Sequence, residues 1–254
     1  MAVDLDFRVE GKGPPVALLH AVGLSHDYLA PIAARLSARH AVIRISARGH
    51  GASPDIERPL SMDDFAGDIA ALLRRLSLGP AWIAGLSFGG MLAQLLALDH
   101  PDLVAGLALS GTAAGTPAAA RAMLVDRGAR ALEVGMAALC EETLDRWFAP
   151  AYRTAPIAER ARAALLAVKP RNWAETWRAM SEFDAAPRLK EIRAPALVLV
   201  GDHDVSAVPA MARALADSIT GARYLELAGC GHMAPIENPD LFAASIGRFF
   251  AEYA

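Results

Sequence analysis

The residues Gly85-Leu86-Ser87-Phe88-Gly89 have the types and spacing of a nucleophile held on a sharp turn. An apolar run, Ala81-Trp82-Ile83-Ala84, leads into them, and an apolar helical stretch over residues 90–98 leads out. A serine at the tip of so tight a strand-to-helix turn takes a strained backbone. Side chains two positions to either side would then collide with the neighbouring strand and helix, so glycine is needed there. The alternative is an ordinary glycine-rich turn. The strand before and the helix after favour Ser87 as the nucleophile.

A serine hydroxyl reacts poorly at neutral pH and needs a base, itself oriented by a third group. Of the seven histidines, His232 follows the last strand in the loop Gly229-Cys230-Gly231-His232, downstream of both the serine and its candidate acids. His26, His40 and His100 are expected as solvated or capping residues and His50 as a loop-holding one, while His203 precedes the acid it would need. Asp202 and Asp204 compete for the acid. The loop after Val200 must turn before a side chain can point back at the histidine, which favours Asp204 and leaves Asp202 to turn hydrogen bonds. Residues 110–115, after the preceding strand, hold no carboxylate. An attacked ester carbonyl becomes an oxyanion, which two backbone N–H groups should receive. The expected donors are Phe88, next after the nucleophile, and Val22, in the loop His20-Ala21-Val22-Gly23.

Positioning such groups requires a rigid sheet. The alternating segment 7–10, the short apolar run 16–20 and the segments 41–45, 81–84, 104–109, 196–200 and 223–227 read as strands alternating with helical patterns. That alternation predicts an α/β fold, a mostly parallel sheet with helices on both faces. Ser61-Met62-Asp63-Asp64 has the form of a capping box before the apolar stripe Phe65, Ile69, Leu72, Leu73, Leu76. Asn238 and Pro239 open a final helix. Parallel sheets place their sites beyond the carboxyl ends of the strands, where His20, Ser87, Ser110 and Gly201 all fall.

Residues 113–186 read differently. Helical stretches at 120–139, 141–148, 157–168 and 173–183 follow one another with proline borders and no strand between. Attached at the rim of the site, this insertion is expected to be a lid, against the alternative of helical layers serving stability alone. The expected division is 1–112 with 187–254 as the core and 113–186 as a helical lid inserted after the sixth strand.

A hydrophobic content of 54 % over 254 residues allows one large core. A net charge of -3 without a basic run leaves no nucleic-acid footprint, and no apolar stretch is long enough to cross a bilayer. Residues 1–6 lack the basic and apolar regions of a signal peptide, so a cytoplasmic location is expected. Cys140 and Cys230 have neither metal-ligand spacing nor the count of a disulfide framework. No metal or organic cofactor is expected, and a homo-oligomer is left open.

Together, Gly-x-Ser-x-Gly, Arg48-Gly49-His50-Gly51-Ala52-Ser53, Gly201-Asp202-His203-Asp204 and Gly231-His232 resemble the α/β-hydrolase superfamily over essentially the whole chain. The chain departs from that pattern at Ala21, where the family usually has glycine, and at Ser46, where aspartate is common. Serine at the elbow argues against haloalkane dehalogenases and epoxide hydrolases. Within the superfamily the chain is most similar to 3-oxoadipate enol-lactonases, through Gly-Leu-Ser-Phe-Gly-Gly-Met at the elbow, residues 111–117, residues 135–139 and, inside the insertion, Arg146-Trp147-Phe148-Ala149-Pro150. The resemblance implies hydrolysis of a carboxylated enol-lactone such as 3-oxoadipate enol-lactone, in aromatic catabolism, through a Ser-His-Asp acyl-enzyme mechanism. Arg146 would meet the substrate carboxylate and Trp147 pack on the ring. The insertion carries ten basic against nine acidic residues, whereas the remainder is net negative. The expected partner is a small-molecule ester or lactone, with neither nucleic acid nor membrane. The alternatives are a carboxylesterase or carbon–carbon bond hydrolase with the same triad, or a small-molecule receptor on the same fold.

Overall fold

Seven strands form one sheet in the spatial order β1-β3-β2-β4-β5-β6-β7. They are β1 (Phe7–Glu10), β2 (Pro15–Leu19), β3 (Ala41–Ile45), β4 (Ala81–Leu86), β5 (Val104–Ser110), β6 (Ala196–Gly201) and β7 (Arg223–Leu227). Only β1 runs antiparallel, against β3; the other pairs are parallel. This computed structural model describes residues 3–253, so Met1 and Ala2 of the amino-terminal stretch lie outside the described residues, as does Ala254.

The helices are α1 (Ala30–Leu36), α2 (Met62–Leu76), α3 (Phe88–Asp99), α4 (Ala118–Trp147), α5 (Pro156–Ala167), α6 (Pro170–Ser181), α7 (Pro209–Ser218), α8 (Ala234–Glu237) and α9 (Pro239–Ala251). The capping box is present: Asp64 N–H donates to Ser61 Oγ at 3.1 Å and Ser61 N–H to the Asp64 carboxylate at 2.9 Å. Asn238 caps α9 by accepting Leu241 N–H at 3.0 Å.

β4 and β6 are buried along their whole length, as their unbroken apolar sequences require of strands covered on both faces. On one face Phe65, Ile69 and Leu72 of α2 join Leu92 and Leu96 of α3. On the other, Ile32 of α1 packs with Phe242, Ile246, Phe249 and Phe250 of α9. Two sandwiched cores thus hold the strand ends rigid, which a catalytic geometry needs.

The helical insertion leaves the sheet after β5, one strand earlier than expected, because β1 alone precedes the parallel strands among the described residues. Its first two expected helices are one, α4, broken not near Cys140 but at Gly135, where φ 75° and ψ 167° interrupt the helix. Glycine alone takes that conformation without steric cost, so the kink falls there. No helix among the described residues is long and apolar enough to cross a membrane.

Candidate active site

Ser87 lies between β4 and α3 with φ 54° and ψ -113°, strained for any residue carrying a Cβ. The flanking glycines are what make the turn feasible. A Cβ on Gly85 would sit 2.2 Å from the Gly89 carbonyl oxygen, and one on Gly89 would sit 2.4 Å from that of Leu19 on β2. Ser87 N–H is tied to the Ser110 carbonyl at 2.8 Å, fixing the tip against β5.

Three side chains meet at the strand ends. Ser87 Oγ lies 2.9 Å from His232 Nε2, and His232 Nδ1 lies 2.8 Å from Asp204 Oδ2. All three are buried. The other carboxylate oxygen, Asp204 Oδ1, accepts the N–H groups of Ser206 at 2.7 Å and Ala207 at 2.9 Å. The carboxylate is therefore fixed from behind and presents one oxygen to the imidazole. An acceptor-only carboxylate puts the histidine proton on Nδ1 and leaves Nε2 free to accept from the serine hydroxyl.

Asp202 is not in this line. It lies on the surface, 3.9 Å from the exposed His203. Asp202→Asn should accordingly keep most of the kcat/KM of the wild type on a nitrophenyl ester, whereas a large loss there would show the acid placed two residues late.

Val22 lies beside Ser87 in the cavity wall, and neither its N–H nor that of Phe88 donates to another protein group among the described residues. The loop carrying Val22 is shaped by His20, whose Nε2 accepts Ala47 N–H at 3.0 Å, so that Nδ1 carries the proton donated to the Ala21 carbonyl at 2.8 Å. His50 holds its own loop through Nδ1 and the Arg48 carbonyl at 3.0 Å, and its ring stacks on Phe88. Burial pushes His20 down to about 3 and His50 down to about 4, with each other's proximity adding to the shift of His20. His26 departs from expectation. It is buried rather than solvated, with Nε2 3.2 Å from the Asp6 carboxylate. Ser46, where aspartate was the expected family residue, accepts His26 N–H at 3.1 Å.

A cavity of about 520 Å³ opens on Ser87 and His232 beneath the insertion. Met91, Met123, Met180 and Met211 give it an adaptable apolar lining, closed by Trp147 and Trp177. Its charges are uneven. Arg130 pairs with Glu142 at 3.2 Å, but Arg127 and Arg146, both lining the cavity, have no carboxylate partner among the described residues. Arg127 lies over the Trp177 ring at 4.8 Å and reaches Thr143 Oγ1 at 3.4 Å. Burial, with Arg146 nearby, lowers its pKa to about 10. Arg127 and Trp177 carry no sequence signal that separates them from ordinary residues of a helix surface. Only the packing of α4 on α6 brings them together.

The family model for the alpha/beta hydrolase fold matches residues 14–239. The chain is 28% identical over 248 residues to 3-oxoadipate enol-lactonase 2 of Acinetobacter baylyi, covering 94% of this chain and 90% of that protein. The solved enol-lactonase from Burkholderia xenovorans LB400 superposes with a TM-score of 0.93 at 32% identity, over 99% of each chain. A thermophilic esterase from Thermogutta terrifontis, solved with malate bound, superposes with a TM-score of 0.93 at 28% identity, over 99% of this chain and 94% of that one.

Proposed function

The chain belongs to the alpha/beta hydrolase fold family, and from that premise we propose that it is a serine hydrolase of a small carboxylated ester or lactone, with an enol-lactone such as 3-oxoadipate enol-lactone as the substrate. One observation carries the choice of an anionic substrate. Two arginines without a carboxylate partner share the cavity with Ser87 and His232. Asp126 and Glu142 also line the cavity, yet neither pairs with Arg127 or Arg146, and half-buried guanidinium groups without a paired carboxylate are best completed by an anion. The enol-lactonase named above, 28% identical over most of its length, supports the lactone.

In this reading Ser87 Oγ attacks the carbonyl while His232 Nε2 takes its proton, and Asp204 stabilises the imidazolium. The N–H groups of Val22 and Phe88 receive the oxyanion. Collapse opens the ring to an acyl-enzyme, the enol remaining on the same molecule after protonation by His232. Water, activated by His232, then releases the acyl chain, and the free enol relaxes to its ketone. Residues 113–186 would act as the lid that shelters these charges from solvent.

The reading is tested by a panel of small lactones and esters, with and without a carboxylate, run on wild type and Ser87→Ala side by side. Arg127→Ala and Arg146→Ala should each lower kcat/KM for a carboxylated lactone much more than for an uncharged nitrophenyl ester. A charge-assisted contact in a partly buried site contributes about 2 kcal/mol, or about thirtyfold in that ratio. Equal losses on both substrates in both variants would leave an uncharged substrate as the better reading. The cavity volume favours one second reading, an esterase of a longer acyl chain laid along the methionines. A methyl ester of a long dicarboxylic acid, turned over faster than any lactone, would establish it.

A further inference from the structure

The single turn α8 ends in a carboxylate that none of the steps above employs. Glu237 is only 7% exposed. Its Oε1 accepts Ala149 N–H at 2.7 Å and its Oε2 accepts Gly231 N–H at 2.5 Å. Gly231 immediately precedes His232. Ala149 lies two residues after Trp147, the cavity-wall residue at the end of α4. A second tie runs alongside: Met233 N–H donates to the Trp147 carbonyl at 3.1 Å. The two segments pass so closely that a Cβ on Gly231 would lie 2.5 Å from the Ala149 nitrogen. A buried acid is a costly way to join two loops, so its presence at this junction calls for a role beyond filling space.

We infer that Glu237 is a positioning residue whose carboxylate clamps the His232 loop to the Trp147 end of the helical insertion, so that one group places both the base and the cavity wall. The inference rests on His232 being the base. A clamp with two acceptor oxygens is strongest in the ionised form, because protonation turns one of them into a hydroxyl, a donor and a far weaker acceptor. Burial raises Glu237 to about 7, and the two backbone donors oppose that rise. The titratable groups facing it are His232, which favours its charge, and Asp204, which disfavours it; Cys230 and Tyr152 lie near enough to be raised by its charge.

Glu237→Gln keeps the shape but turns an amide NH2 toward one of the two donors. At pH 8 its kcat on an uncharged nitrophenyl ester should fall at least about tenfold per active molecule and its KM should rise. Labelling of Ser87 by a fluorophosphonate should slow in proportion. The acid limb of the wild-type rate should lose one proton of steepness in the variant, because residue 237 no longer titrates. Ala149→Pro acts on the insertion half first. Ala149 has φ -59°, and Phe148 before it has φ -103° and ψ 137°, so proline fits the backbone dihedrals, removes the N–H and puts its Cδ where Glu237 Oε1 now sits, displacing the carboxylate from the insertion. Its KM should rise more than its kcat falls. Wild-type kcat, KM and pH profile in both variants would overturn the inference, as would a loss in Glu237→Gln explained wholly by fewer active molecules. Amide exchange on the wild type needs no variant to fold. Ala149 and Gly231 should be protected at pH 8 and at least about tenfold less protected at pH 5.5, relative to intrinsic rates; equal protection overturns the clamp. A wild type inert to every ester, lactone and fluorophosphonate would instead remove the proposed function, while the exchange result still judges the clamp.

Discussion

Ser87→Ala, His232→Ala and Asp204→Asn are each expected to lower kcat at least about a thousandfold, because the proposed mechanism uses the three side chains as a unit. The serine variant has no atom to form the acyl bond, and the histidine variant leaves Ser87 Oγ with no acceptor at 2.9 Å. The aspartate case is the most instructive. Asp204 Oδ1 is held by two N–H donors, from Ser206 and Ala207, so the carbonyl of an asparagine must occupy that place. Its NH2 then faces His232 Nδ1, which has to accept rather than donate. The ring proton moves to Nε2 and points at Ser87 Oγ, so the imidazole can no longer take the serine proton. The geometry stays and the tautomer is wrong. Steady-state kinetics on a nitrophenyl ester, with circular dichroism to check folding, decide the matter. Near-normal turnover in His232→Ala would sink the assignment of the base.

Why these residues can be found without a structure, and others cannot, follows from how local their constraints are. The elbow is legible because the turn sets its own requirement for Gly85, which meets Gly89 directly, while Gly89 meets β2, a neighbour that the strand-turn-helix order itself implies. Asp204 can be ranked above Asp202 because the turn after β6 takes a fixed number of residues to complete, ending with the Asp204 N–H on the Gly201 carbonyl at 3.0 Å. His26 is misread because its partner Asp6 is twenty residues away and on the far side of β2, invisible to any local pattern. The kink in α4 escapes because helical periodicity continues on both sides of Gly135. Arg127 and Glu237 escape for a related reason. An arginine or glutamate on a helix is ordinary until tertiary packing removes the solvent, and here that packing joins segments 50 and 88 residues apart, Arg127 with Trp177 and Ala149 with Glu237.

Folding stability should fall as pH drops from 6.5 to 4.5, by about 3 kcal/mol, and Glu237→Gln should make the fall nearly twice as steep. Two histidines and one carboxylate set the sign. His20 and His50 are buried neutral, with folded values of about 3 and about 4 against the ordinary 6.5 of an exposed imidazole. Below pH 6.5 the unfolded chain gains a proton at each while the folded protein does not. The stability they allow is thus full above 6.5 and is lost at about 1.4 kcal/mol per pH unit for each as pH falls. Glu237 acts in the opposite direction. Its folded value of about 7 lies above the ordinary 4.5, so below pH 7 the folded protein holds a proton that the unfolded chain lacks. It contributes stability of about 1.4 kcal/mol per unit as pH falls from 7 toward 4.5. Two losses against one gain leave a net loss of one proton's worth, about 1.4 kcal/mol per unit over two units. Glutamine at 237 does not titrate, so the variant should lose about 5 kcal/mol over the same span. The window closes at 4.5 because acids with lowered values, Asp64 at about 2 among them, begin to contribute below it. Urea unfolding at pH 6.5, 5.5 and 4.5 measures both slopes. A flat wild-type curve would show that His20 and His50 are not held neutral, and parallel curves for wild type and variant would show that Glu237 is already ionised in the fold at the bottom of that range.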